Sequence, residues 1–240
     1  MHKRSVTAAV VFALTQSAFA ADAPQVALSV PPAFATEVTV KHYREGQDLL
    51  HDDIYHLIPI APLTEYHGWF GPRHVRQADM HAWTVYVFAH YSSKVATACA
   101  TAKDGYEADL SIEPEFFGLS ECAYMFARFE RKRFSWGSAV SFLSQTVQDV
   151  ALYVPNNGLL DYEVWGVTPD RKFTVVASLS VSHPYLGNWG IKERPKVRVA
   201  DSIEALKRDR DYQLVETCNA EAFEPSLTAF DRMLDTLVVQ

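Results

Sequence analysis

Three cysteines in 240 residues, with no Cys-x-x-Cys pair among them, leave no thioredoxin-like redox motif and no cysteine-based zinc motif. Positive charge is also short: 22 lysines and arginines stand against 29 acids, for a formal charge of −7. A negative surface repels a phosphate backbone, so no nucleic-acid partner is expected. After the first twenty residues no apolar run is long enough to span a bilayer, so no transmembrane segment is expected in the mature chain. No Gly-x-Ser-x-Gly elbow marks a hydrolase nucleophile, and no His-Glu-x-x-His marks a zinc protease. Internal repeats and dividing linkers are missing too. No cofactor is expected.

What is present begins with a leader. His2, Lys3 and Arg4 precede an apolar stretch, residues 6–14, and Ala18-Phe19-Ala20 places small residues where a signal peptidase cuts. Residues 1–20 are therefore expected to be a cleaved signal peptide, and 21–240 a single domain working in the periplasm or outside the cell. Losing Lys3 and Arg4 takes the formal charge from −7 to −9. In an oxidising compartment, three cysteines suggest one disulfide and one free thiol. Cys99 and Cys122 are the expected pair because they bracket an aperiodic segment, 103–121, rich in large apolar side chains. Cys122 with Cys218 is the alternative.

The chain is organised around residues 156–184. Leu160, Tyr162 and Val164 alternate with Asp161 and Glu163, the period of a half-buried strand. After a turn at Thr168-Pro169-Asp170-Arg171, Phe173, Val175, Ala177, Leu179 and Val181 alternate with Thr174, Ser178, Ser180 and Ser182. Val176 is the one apolar exception. Pro169 suits the second position of a type I turn and Asp170 the third. Further strands are expected at 37–43, 83–91, 124–133 and 212–218. The proline-containing stretch 54–63 is at best an edge strand. Residues 21–32 read as a loose arm. Helices are expected at 138–149, in a short piece after an Asp201 to Glu204 capping box, and from Glu224-Pro225 onward. The fold class is α+β: an antiparallel sheet packed against a C-terminal helix and one or two shorter helices.

From about Phe129 onward the order of motifs resembles a domain found in secreted bacterial proteins and lipoproteins of uncharacterised function. The matching pieces are Phe142-Leu143-Ser144-Gln145, Asn156-Asn157, the hairpin Tyr162 to Asp170, the strand Val175 to Val181, His183-Pro184, and Phe223 to Asp231. Arg171 departs from the glycine common in that turn, and Ser180 from a common proline. The resemblance implies a secreted α+β domain and no particular activity. A sheet under a C-terminal helix is also similar to the sandwich of the PsbP and Mog1 proteins, by analogy alone.

Histidine density is the most distinctive chemistry. Seven of nine histidines (His42, His51, His56, His67, His74, His81 and His90) fall between 42 and 90. His51, Asp52, Asp53 and His56 combine imidazole and carboxylate ligands suited to zinc or manganese, although ordinary surface or hydrogen-bonded histidines account for them more simply. The acids of 107–115 are expected to be solvated. The basic run 128–133 is expected to be a solvated strand end, with an anion-binding patch as the alternative. Tyr66, His67, Trp69, Phe70 and Arg73 form an aromatic and basic cluster of the kind used in recognition surfaces. The expected function is a non-enzymatic binding protein contacting another protein or an envelope component. A toxin-neutralising immunity protein is one form of it. The alternative is a metal-dependent enzyme using 42–90.

Overall fold

The computed structural model describes residues 25–31, 34–35, 37–44, 54–60, 63–68, 71–76, 83–101, 123–147, 152–157, 159–187 and 198–240; from 58 to 76 only the backbone is described. Strands β1 (Val26–Ala27), β2 (Glu37–Tyr43), β3 (Ile54–Ile60), β4 (Leu63–Gly68), β5 (Gly71–Arg76) and β6 (Trp83–Phe88) precede helix α1 (Ser93–Thr101). Strands β7 (Ala123–Phe134), β8 (Gly137–Val147), β9 (Leu152–Tyr153), β10 (Leu160–Val167), β11 (Thr174–Ser180) and β12 (Val199–Ala200) follow. Helices α2 (Ile203–Arg208), α3 (Arg210–Thr217) and α4 (Leu227–Leu234) and strand β13 (Val238–Val239) complete the order.

Seven strands form one sheet in the order β2-β3-β6-β11-β10-β8-β7, antiparallel at every pairing. With the four helices this is an α+β protein. The β10–β11 hairpin lies at the middle of the sheet, Trp165 opposite Val176 and Tyr162 opposite Leu179. Its turn closes when the Arg171 N–H donates to the Thr168 carbonyl at 3.1 Å. Arg171 takes a left-handed φ of 60°, the conformation glycine favours, and places its guanidinium 5.9 Å from the centre of the Tyr91 ring.

Both faces of the sheet are buried at its centre. Val175, Ala177 and Leu179 join Tyr162, Val164 and Leu143 in a cluster with Phe230, Met233 and Leu234 of α4. Val176 points the other way, into a second cluster of Phe129, Val140, Phe142 and Trp165 with Val95 and Ala98 of α1. That double burial corrects one expectation. Residues 138–149 do not form a helix; Gly137–Val147 is strand β8, pairing on both sides. A strand buried on two faces lacks polar alternation, and its apolar positions coincide with helical spacing. Gly137 is required there, since a Cβ would lie 2.1 Å from the Val167 carbonyl oxygen.

Other expectations are also revised. Residues 212–218 belong largely to helix α3, capped by the Asp209 carboxylate on the Asp211 N–H, with Tyr212 and Val215 buried one turn apart. The α2 cap is Ser202, one residue after the anticipated Asp201. Strand β3 is internal, between β2 and β6, yet its pairing with β6 runs from Ile54 to Leu57 and stops before Pro59, which has no N–H to give. The arm is not loose: Val26 and Ala27 pair with Val239 and Val238. On β7 a bulge between Ala127 and Glu130, with Arg128 at φ 57°, moves Phe129 off the face of Met125 and Ala127.

Candidate functional site

Of the anticipated metal ligands, His51, Asp52 and Asp53 lie outside the described residues. His56 stands on β3 opposite Lys41 and Tyr86, its ring stacked on Tyr86 with centroids 4.3 Å apart. Its Nε2 is sealed from solvent with no hydrogen-bond partner. Burial, and then the Lys41 charge, hold its pKa below the usual histidine value. It acts as a neutral aromatic wall. Among the described residues no group of three or more His, Cys, Asp or Glu could hold a metal ion.

Trp69 and Phe70 also lie outside the described residues. In the β4–β5 ladder Tyr66 is opposite Arg73 and His67 opposite Pro72. Strand alternation then puts Tyr66 and Arg73 on one face of that hairpin and His67 on the other.

Of the expected Cys99–Cys122 pair, Cys99 is a free thiol whose Sγ approaches the carbonyl oxygens of Ser138 and Trp165 at 3.5 and 3.6 Å. Cys122 lies outside the described residues. Burial pushes the Cys99 thiol up to about 11. Cys218 is also free, and lies at the end of α3, not on a strand.

The motif pieces read from the sequence converge on one corner. Gln145 donates to the carbonyls of Tyr153 and Val154 and accepts the Asn156 N–H at 2.9 Å. Asn157 accepts the His183 N–H at 2.7 Å and donates to the carbonyls of His183 and Leu186. Ser182 and Glu224 exchange both backbone hydrogen bonds. Phe223 lies edge-on to His183, centroids 5.3 Å apart. These bonds hold the loop after β11 against the turn before α4 and leave a cavity of about 510 Å³ between them. Asn157, His183, Leu186, Glu221, Phe223 and Glu224 line it.

Two other polar clusters are consumed by the fold. On β10, Glu163 accepts hydrogen bonds from Ser178 at 3.0 Å, Trp165 Nε1 at 3.3 Å and Ser144 at 3.5 Å. Asp161 accepts the Ser180 hydroxyl at 2.7 Å, and burial raises its pKa. The two carboxylates stand two residues apart, about 7 Å, and the hydroxyls of Ser144, Ser178 and Ser180 are spent on holding them. Under α4, the Tyr162 hydroxyl donates to Asp231 at 2.9 Å, and Lys132 pairs with Asp231 at 2.9 Å and Glu130 at 2.7 Å. Against burial, which would lower it, Asp231 and Glu130 raise the Lys132 pKa. Arg128 pairs with Glu130 at 3.3 Å, so neither Arg128 nor Lys132 stands as an open cation.

The cavity residues His183, Glu221 and Glu224 were missed as a site. They are up to 41 positions apart, and the Ser182–Glu224 bridge brings their segments together. The signal was His183-Pro184 and Phe223 as isolated motif pieces, with nothing to show that they meet. No family model, curated protein or solved structure matches this chain.

Proposed function

We propose that the chain is a periplasmic or secreted, non-enzymatic interaction protein that recognises another protein or an envelope component, an immunity-type role being one form. The observation carrying this reading is the β4–β5 hairpin. Strands β3 and β6 pair directly with each other, while the chain between them forms a separate two-stranded sheet. A lone hairpin is marginally stable in water, so a hairpin kept outside the main sheet is a natural docking element. Tyr66 and Arg73 share one of its faces, and tyrosine and arginine are enriched where binding energy concentrates. The recognition surface is therefore Tyr66 with Arg73, with His67 on the opposite face; Trp69 and Phe70, also expected to contribute, lie outside the described residues.

The competing reading, a metal-dependent enzyme on 42–90, draws no support from His56, which is neutral and stacked on Tyr86. Membership of the secreted bacterial domain resembled by the sequence is supported by its motif residues Gln145, Asn156, Asn157, His183 and Phe223, which bind one another in a single corner. An α-β sandwich, with the sheet under the C-terminal helix, is supported by Tyr162 and Phe230, whose rings meet edge to face at 6.3 Å.

The binding test compares wild type with a Tyr66→Ala/Arg73→Ala variant in affinity capture from envelope extracts. A partner held by the wild type and lost by a variant with an unchanged melting temperature is the expected outcome. Equal capture by both rejects the hairpin as the surface. Export is tested by N-terminal sequencing, where envelope material should begin at Ala21. Full-length cytoplasmic protein would reject the compartment.

A further inference from the structure

The cavity between the β11 loop and the turn before α4 has a built interior. His183 is only 3% exposed and lines the wall. Its Nδ1 accepts the Tyr185 N–H at 3.3 Å, which leaves the proton of the neutral ring on Nε2. Burial lowers its pKa, in keeping with that neutral form at pH 7. Nε2 has no protein partner among the described residues and is open to solvent, so it is the donor that the ring offers at the cavity.

The other polar lining is acidic. Glu221 is held ionised by the Ser226 hydroxyl at 2.6 Å, which lowers its pKa. Glu224 has no ion pair among the described residues, and no lysine or arginine lines the cavity. The Asn157 amide is spent on the clasp, and the Ser182 hydroxyl on the Glu224 carbonyl. Leu186 and Phe223 supply apolar wall, and Tyr185, 75% exposed, presents an aromatic ring 5.6 Å from His183. The available chemistry is thus one donor, the Glu224 carboxylate, the Glu221 carboxylate shared with Ser226 and Thr228 and with the Arg232 charge nearby, and an apolar stretch beside an exposed ring.

We propose that this cavity binds a basic residue of a polypeptide. The ammonium or guanidinium group meets Glu221 and Glu224, its alkyl stem lies along Phe223 and Leu186, and a backbone carbonyl accepts from His183 Nε2. Tyr185 closes over the cation with its ring face. The site is separate from the β4–β5 hairpin, and either can fail without the other.

The test is NMR titration of the mature protein, following the His183 ring nitrogens. The probes are Nα-acetyl-lysine methylamide, Nα-acetyl-arginine methylamide, Nα-acetyl-norleucine methylamide and cadaverine. The two basic amides should shift the Nε2 resonance at millimolar concentration. Norleucine amide should leave it unchanged, and cadaverine, a cation without the carbonyl, should bind at least several-fold more weakly. A Glu221→Gln/Glu224→Gln variant alters two exposed side chains and keeps an acceptor for Ser226. It should lose about tenfold in affinity, the equivalent of about 1.4 kcal/mol. Tyr185→Ala should weaken binding with the fold intact. Norleucine amide binding as tightly as lysine amide would overturn the cation assignment. Cadaverine binding equally well would overturn the polypeptide assignment, because the carbonyl would then have no role. Unchanged affinity in the glutamine variant, or no shift with either basic amide, would overturn the site.

Discussion

The two faces of the seven-stranded sheet are buried by different means. The face toward α4 is a continuous apolar cluster with polar fastenings at Tyr162 and Lys132 on Asp231 and at Trp136 Nε1 on the Leu234 carbonyl. The face toward α1 divides in two. At one end Phe129, Phe142 and Trp165 interlock, with Phe142 5.2 Å from Phe129 and 5.5 Å from Trp165. Beside them runs a polar band, Asp161 and Glu163 held by Ser144, Ser178 and Ser180. The difference teaches that alternation along β10 and β11 does not separate core from solvent. It separates an apolar core from a mixed one, which is why Val176 looked exceptional in the sequence.

The sharpest test uses aromatic residues of equal burial. Phe230 serves the first face and Phe142 the second, and neither is exposed. Each change to alanine should cost about 3–5 kcal/mol in chemical denaturation, through lost burial and an unfilled cavity. If Phe142→Ala cost under about 1 kcal/mol, the second face would be a surface and not a core.

Next in size is a neighbouring pair on β11. Leu179 is fully buried on the first face, so Leu179→Ala should cost about 2–5 kcal/mol. From alternation alone Ser178→Ala should be nearly neutral. The hydroxyl donates to Glu163 at 3.0 Å, however, which raises the expected cost to about 1 kcal/mol. Thermal melts that rank the two equally would break the distinction between faces.

The central hairpin, strands β2, β6 and β7, and the C-terminal helix were legible because each presents a one-sided pattern or a strong cap. β8 was not, because a strand covered on both sides carries apolar residues at every phase. α3 was misread because Tyr212, Leu214 and Val215 fit a short strand, and the Asp209 cap that decides for helix is a single residue. α1 was not anticipated at all: only Val95 and Ala98 of its residues are fully buried, too few to mark a stripe. The candidate cavity was illegible for a different reason. Its parts are joined by backbone pairing between Ser182 and Glu224, for which no local pattern exists.

Cys99 reports on how firmly α1 covers the second face. Its thiol is raised to about 11 by burial and lies against the Ser138 and Trp165 carbonyls. Thiolate is the reactive form, so alkylation of folded protein at pH 8 should be far slower at Cys99 than in the denatured chain. Mass mapping after a timed iodoacetamide pulse measures it. Labelling at the denatured rate would mean that α1 lifts readily from the sheet.

The smallest effects are pH-dependent, and the second face carries them with opposite signs. Asp161 has its pKa raised by burial, so the folded state binds a proton more readily than the unfolded chain does. Its contribution is fully present below the ordinary carboxylate value and is lost as pH rises through the folded value. His56 has its pKa lowered by burial and then Lys41, so its contribution is present above about 6.5, the ordinary histidine value, and is lost as pH falls toward the folded one. Asp161→Asn keeps an acceptor for Ser180 and removes the first slope; His56→Phe keeps the stack on Tyr86 and removes the second. Relative to wild type, Asp161→Asn should gain melting temperature on going from pH 4 to pH 7. His56→Phe should gain it on going from pH 7 to pH 5. Parallel melting curves for His56→Phe and wild type across pH 5–7 would show that the ring charges without cost, and that the β3 end of the second face is open to water.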